Sequence, residues 1–179
     1  MAVVRAVARD ETHRFSKTPV AEIRLLAGLG VEGDAHLGER VQHRSRVAVD
    51  PTQPNLRQVH LLSLELLEEL AAAGFEVAPA VLGENVLASG IDLLAQPLDT
   101  RLRLGGEAVV RVTGLRNPCA QIERFRPGLL ARLVGRDEEG RPLLRAGIMA
   151  VVEAGGTVRP GDAIGIERPA PPHRRLERV

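Results

Sequence analysis

Residues 101–115 read RLRLGGEAVVRVTGL: two runs alternating apolar with polar positions, split by Gly105–Gly106. A period of two marks a strand with one buried face, and paired glycines give the backbone its freedom where a turn is needed. The same grammar recurs on both sides. AVVRAVA (2–8), VAEIRLL (20–26), RQVHLL (57–62), ENVLAS (84–89), RAGIMAVVEA (145–154) and DAIGIE (162–167) all read as short strands, with Gly155–Gly156 at a further expected turn. One stretch breaks the rhythm. In LELLEELAAAG, after Ser63, Leu66, Leu67, Leu70 and Ala73 form a helical stripe, Ser63 is a favoured N-cap, and Gly74 supplies the stop. Pro118–Phe125 and Gly128–Val134 read as two short helices before a polar turn at Asp137–Gly140. The sum is a mainly β fold with a few helices (α+β), a barrel or half-closed barrel, spanning residues 1–168 as a single domain. The Pro- and Arg-rich tail 169–179 is expected to lie extended on the surface or to be partly disordered.

Composition narrows what such a domain does. The chain has 179 residues, 44% hydrophobic and 26% charged, the profile of a globular domain. Its 24 Lys+Arg against 23 Asp+Glu leave a net charge of +1, so no bulk field favours nucleic acid or an anionic membrane. With three Phe and no Trp or Tyr there is no stacking platform for single strands. One cysteine, Cys119, excludes an internal disulfide and a multi-cysteine metal site, and a lone thiol suits a reducing cytoplasm. Arg5, Arg9 and Asp10 interrupt the apolar N-terminus before a secretory core forms, and no stretch approaches a membrane span; the expectation is a cytoplasmic protein.

The polar segment 30–55 is read as a long loop, and loops of that length in compact domains carry function or move. Gly28, Gly30 and Gly33 match the spacing of a dinucleotide fingerprint, but that motif requires a helix directly behind it, and DAHLGERVQHRSR has no apolar stripe. The glycines therefore read as turns that present Asp34 and His36. Asp34, His36 and His43 lie close together, yet match no zinc-ligand spacing, and hydrogen-bonded loop histidines are the favoured reading. His60 falls in a strand and reads as a satisfied core or edge histidine; His13 and His173 are expected at the surface. Arg103 and Arg111 look like the solvent faces of strands, and Lys17, the only lysine, reflects a whole-chain preference for arginine. Asn85 either starts a strand through turn chemistry or bonds a ligand.

Cys119 carries the strongest chemical signal. In TGLRNPCAQIERF, Asn117 is a favoured N-cap and Pro118 a favoured first helical residue, which places Cys119 in the first turn, where free N–H groups stabilise a thiolate. Arg116 adds a fixed cation nearby. Two readings stay open: a nucleophile or soft-metal ligand, or a buried cysteine that packs.

Taken together, GVEGDAHLG (30–38), RQVHLLS (57–63), LGENVLASGIDL (82–93), VTGLRNPC (112–119) and AGIMAVVEAGGTVRPGD (146–162) resemble the MOSC family, the molybdenum cofactor sulfurase C-terminal domain, in its small stand-alone bacterial form. The resemblance runs from about residue 20 to residue 168. It implies a partly closed β-barrel and places Cys119 at the family's cysteine, which ligates molybdenum of the pterin cofactor or carries sulfur as a persulfide. It implies cofactor contacts at Asp34, His36, Arg57, Asn85, Arg116 and Asn117, with Arg57 and Arg116 on the pterin phosphate and Asn85 or Asp34 on the ring. The loop 39–55 is longer and more basic than in the best-known members, so it is placed to cap the pocket. The pyridoxal-phosphate desulfurase domain of larger relatives has no room here, so no pyridoxal phosphate site is expected.

Three functions are weighed, the first two resting on the resemblance. The first is a molybdenum-cofactor enzyme reducing N-hydroxylated or N-oxidised small molecules, with electrons from a separate reductase. The second is a sulfur carrier supplied by a cysteine desulfurase. The third is a non-catalytic module for small anions.

Overall fold

A computed structural model describes residues 1–179. In chain order the strands are β1 (Val3–Arg9), β2 (Thr18–Val20), β3 (Ile23–Leu26), β4 (Gly30–Val31), β5 (Val59–Ser63), β6 (Val86–Ser89), β7 (Arg101–Leu104), β8 (Ala108–Leu115), β9 (Val134–Arg136), β10 (Pro142–Leu144), β11 (Ile148–Ala154), β12 (Gly156–Val158) and β13 (Ile164–Glu167). The helices are α1 (Arg44–Val47), α2 (Leu64–Ala72), α3 (Ala120–Phe125) and α4 (Leu129–Leu133). Eight strands form one sheet in the order β13-β7-β8-β11-β5-β6-β1-β2; β12-β3-β4 and β10-β9 make two smaller sheets.

The main sheet is antiparallel except for β5 and β6, which run parallel and are joined across its face by α2. A parallel pair needs such a crossover. Ser63 caps α2 as expected, its hydroxyl accepting from Leu66 N at 3.3 Å. The sheet is not a closed barrel. Its ends are β2 and β13, and the gap beside β1 is spanned by one isolated bridge, Val3 to Ala163, flanked by Val4 N to Asp162 O at 2.9 Å and Ile164 N to Ala2 O at 2.9 Å.

Two apolar clusters explain why β5 and β6 read as continuous hydrophobic runs. Val59, Leu61, Val86 and Ala88 face one cluster with Val110, Val112, Ile148 and Ala150. Leu62 and Leu87 face the other, with Leu66, Leu67 and Leu70 of α2 and Ile122, Leu129 and Leu133 of α3 and α4. These central strands are covered on both sides, as parallel pairs require. β8 shows one-sided alternation instead, with Ala108, Val110 and Val112 buried between half-buried neighbours.

Several expectations need correction. Gly155–Gly156 is not a turn: β11 passes directly into β12, moving from the main sheet to the small one. Glycine is needed there because backbones crowd together; a Cβ at Gly155 would lie 2.9 Å from Leu25 O, and one at Gly156 2.8 Å from Ala108 N. The 30–55 loop contains β4 and α1 and is pinched at its neck by the Arg40–Pro54 bridge. The β9–β10 hairpin, around the expected Asp137–Gly140 turn, and the very short β4 and β12 are too brief to show a period.

The tail is not loose either. Leu176 is 5% exposed and joins the main cluster, while Leu115 N bonds Glu177 O at 2.7 Å and Val179 N returns to Leu115 O at 3.2 Å. Proline removes donors from 169–172, but the chain beyond them is free to pair with the exposed end of β8. Leu176→Ala is therefore expected to destabilise the protein by about 2–3 kcal/mol in urea unfolding, the scale of a core leucine truncation. A loss below about 0.5 kcal/mol, the scale of a surface change, would show that the tail is not part of the core.

Candidate functional site

A cavity of about 450 Å³ opens where the starts of β5 and β6, the end of β8, α3 and the 39–55 loop converge. It brings together Arg57, His60, Asn85, Arg116, Asn117 and Cys119 from segments far apart in sequence, with His36 and His43 from the long loop. His60 and Met149 are cross-strand neighbours of β5 and β11, which fixes the floor.

Asp34 lies behind the wall, 6% exposed, and organises it. Its Oδ1 accepts from His36 N at 3.0 Å and lies 3.1 Å from His36 Nδ1. Its Oδ2 accepts from Lys17 Nζ at 2.5 Å, from Asn85 Nδ2 at 3.1 Å and from Asp10 N at 3.3 Å. Burial alone would raise the carboxyl's pKa, but the hydrogen bonds from His36 and the adjacent Lys17 charge outweigh it and hold the group well below the usual carboxylate range. Asn85 is equally committed: Nδ2 also donates to Ala8 O at 3.1 Å, and Oδ1 accepts from His60 N at 3.1 Å. Asp34 and Asn85 therefore anchor Lys17, His36 and β5. Most of their hydrogen-bonding capacity is thus used within the protein, while Asn85 also lines the cavity.

Lys17 is the residue the sequence reading missed. Its side chain is 6% exposed, and it lines the cavity. A lone lysine among arginines was the available signal: an ammonium on a flexible stem fits a narrow buried pocket beside a carboxylate where a planar guanidinium would not. His13 and Phe15 line the cavity too, from the segment leading to β2. The rings of His13, His36 and His43 form a column with centroid separations of 5.2 and 4.4 Å. Burial pushes the His36 and His43 pKa values down, His43 to about 2, with Arg57 reinforcing the effect there, so both imidazoles are neutral at physiological pH. The three histidines do not converge with acidic residues into a metal-binding group.

The cysteine's local geometry differs from the expectation. Cys119, not Asn117, is the N-cap of α3: it stays extended at φ −122° and ψ 167°, and its carbonyl accepts from Ile122 N at 3.0 Å to close the first turn. α3 is only six residues long. The half-buried thiol reaches the cavity and donates to Gln121 Oε1 at 3.5 Å. The guanidinium groups nearby are held without full partnering: Arg57 Nε and Arg116 Nη1 are shielded from solvent and make no hydrogen bond, and His43 Nδ1 is in the same condition. Burial, with Arg46 and Arg116 adding to it, lowers Arg57 to about 10, still protonated at neutral pH; burial likewise lowers Arg116. Arg103 and Arg111 lie outside the cavity, Arg111 paired with Asp99 and Glu153 as its strand position implied.

Two predictions follow from these contacts. The Lys17–Asp34 pair is buried, so Asp34→Asn leaves an uncompensated ammonium and is expected to cost about 3 kcal/mol, part of which the double variant Lys17→Met/Asp34→Asn regains. Equal costs for the single and double variants would show that the pair is not the source. His60, 5% exposed with Nε2 at 2.7 Å from Ala146 O, has a pKa lowered by burial to about 3. Its unfolded form, near 6.5, takes up a proton that the folded form refuses, so stability falls as the pH drops below about 6.5, by roughly 2 kcal/mol at pH 5. His60→Gln retains an N–H donor for Ala146 O and should remove that share of the pH 7-to-5 loss in paired urea titrations.

No helix is long and apolar enough to cross a membrane. Structural comparison finds the same fold in the crystal structure of the YuaD protein from Bacillus subtilis, with a TM-score of 0.76 and 24% identity over 95% of this chain and 98% of that one. YiiM from Escherichia coli is similar with a TM-score of 0.61 and 20% identity over 96% and 73%, and YiiM from Geobacillus stearothermophilus with 0.59 and 18% over 93% and 74%. A comparison with curated proteins finds no match. The sequence profile of the MOSC domain covers residues 32–165, a span that holds Asp34, Arg57, Asn85, Arg116 and Cys119, and the chain belongs to the MOSC domain family.

Proposed function

We propose that the cavity binds molybdenum cofactor, with Cys119 as the protein's metal ligand, and that the protein reduces N-hydroxylated or N-oxidised small molecules. The observation that carries this reading is the set of shielded, unpartnered donors, Arg57 Nε and Arg116 Nη1, around the cavity that holds the chain's single thiol. A buried polar group without a partner is costly, and here the missing partner is an anion entering from the cavity. Guanidinium groups suit a phosphate, and a thiolate suits a soft redox metal, so the donor set fits this cofactor.

When bound, the cofactor supplies two-electron redox chemistry: the substrate N–O bond breaks, two electrons arrive from a separate reductase, and two protons complete the amine and a released water. The chain's own residues bind, orient and shield. Arg57 and Arg116 hold the phosphate, and Cys119 fixes the metal end. Asn117 lies between Arg116 and Cys119 in the wall. Lys17, steadied by Asp34 and Asn85, presents an ammonium to the cavity, while neutral His36 and His43 offer planar polar faces. The 39–55 loop contributes His43, Arg44 and Ser45 to the cover.

The half-buried thiol also suits the second role, that of a sulfur carrier. There the Cys119 thiolate attacks the terminal sulfur of a desulfurase persulfide, breaking its S–S bond and expelling the donor thiolate. Metal analysis separates the two. Protein expressed in a host that makes the cofactor should hold near-stoichiometric molybdenum, and Cys119→Ala should hold almost none. Arg57→Gln or Arg116→Gln should lower occupancy about tenfold at limiting cofactor, the scale of one charged hydrogen bond. Absence of molybdenum from the wild type, with cyanide-labile sulfur on Cys119, would overturn the reductase reading in favour of the carrier.

A further inference from the structure

The cavity is charged on one sign only. Its lining includes Arg14, Lys17, Arg44, Arg57, Arg116 and Arg124 and no aspartate or glutamate, in a chain whose acidic and basic residues otherwise nearly balance. Such segregation raises the local concentration of anions. The cations are not equivalent. Lys17 is neutralised by Asp34, and Arg14 lies 3.7 Å from Asp10. Arg57 and Arg116, deep and beside Cys119, match one phosphomonoester, which carries between one and two negative charges at neutral pH.

That leaves Arg44 and Arg124. They come from different elements, α1 of the 39–55 loop and α3, and both reach the exposed mouth of the one cavity. Neither forms an ion pair, a condition shared by other arginines of the chain, but these two also line the cavity. The acidic neighbour of Arg124, Glu123, is turned away to accept from Gly128 N at 2.9 Å. Two uncommitted guanidinium groups at the mouth, in addition to the two inside, exceed what the phosphate of one cofactor requires.

We propose that Arg44 and Arg124 form a second anion subsite, and that the substrate is a phosphomonoester: an N-hydroxylated compound bearing its phosphate at the mouth and its N–O group toward Cys119. The inference rests on the cofactor reading above, which assigns the inner pair to the cofactor's phosphate. It makes the protein selective for the phosphorylated form of a compound over the uncharged form. His36 and His43, which also line the cavity, are neutral and add no charge that would disturb that preference.

The test compares N4-hydroxycytidine with its 5′-monophosphate in calorimetric titrations of the purified protein: wild type, Arg44→Gln, Arg124→Gln and the double variant. Molybdenum content is measured on each preparation, and kcat/KM is measured wherever the metal is present. The monophosphate is expected to bind about tenfold or more tightly than the nucleoside, each single variant to lose most of that advantage, and the double variant to abolish it. Molybdenum content should be unchanged throughout, because the inner pair is intact. Equal affinity for the two compounds, or an advantage that survives the double variant, overturns the subsite. A fall in molybdenum content in Arg44→Gln or Arg124→Gln would assign the second anion to a nucleotide form of the cofactor and overturn the substrate assignment. The cofactor reading fails separately, on absence of molybdenum from the wild type.

Discussion

The Asp34 carboxylate is the point on which the site depends. It is taken out of water, and both of its oxygens are occupied by donors from four places in the chain: Asp10 N, Lys17, the His36 turn, and Asn85 at the entry to β6. A buried charge tolerates little displacement, because each lost donor leaves an oxygen unsatisfied in a medium that cannot replace it. Asn85 extends the same constraint into the sheet through Ala8 O on β1 and His60 N on β5. One anion thus fixes the relative position of β1, β5, β6 and the segment that leads into the long loop, and the cavity wall takes its shape from that agreement.

The inner arginines show the opposite condition. Arg57 Nε and Arg116 Nη1 are shielded without partners, and the buried Glu84 carboxylate, whose charge acts on Arg116, likewise keeps Oε2 unpartnered. Arg101, Arg111 and Arg145 at the surface are, by contrast, paired with acidic residues. The cavity lining itself carries cationic side chains and no carboxylate. Under the proposed function, an anion entering the cavity would supply the missing partner and offset the cost of burying these groups.

Much of this was legible in the sequence where period and punctuation are local. The alternation of RLRL and AVVRVTGL, the Ser63 cap and the hairpin glycine Gly105 all act over a few residues, and the structure keeps them. The motif segments holding Asp34, Arg57, Asn85 and Cys119 were legible as a set, because their order along the chain carries information that no single one does. What escaped depends on distance. Nothing near Lys17 in sequence announces a carboxylate 17 residues away, and nothing in the proline-rich tail announces that Leu176 finds a place among the strands. The partners of Asp34 and Asn85 escaped for the same reason: a polar side chain in a motif says nothing of the groups far along the chain that it will meet.

Cys119 shows how the two kinds of information combine. The N-terminal helical turn expected from Asn117–Pro118 would have credited the thiol's environment to peptide dipoles, yet the extended conformation of Cys119 and the six-residue length of α3 leave that contribution small. The cationic surroundings come from side chains on other elements: Arg57 at the entry to β5, and Arg116 at the exit of β8, whose backbone N–H is held by Gly147 O at 3.0 Å. Gly147 is irreplaceable in that role, since φ of +88° excludes other residues and a Cβ would press on Leu61 O and His60 Nε2. The electrostatics of the thiol are therefore a property of the sheet's connectivity, with β5, β8 and β11 meeting beneath it, and a short helix serves mainly to carry the sulfur to the place where those strands have gathered charge.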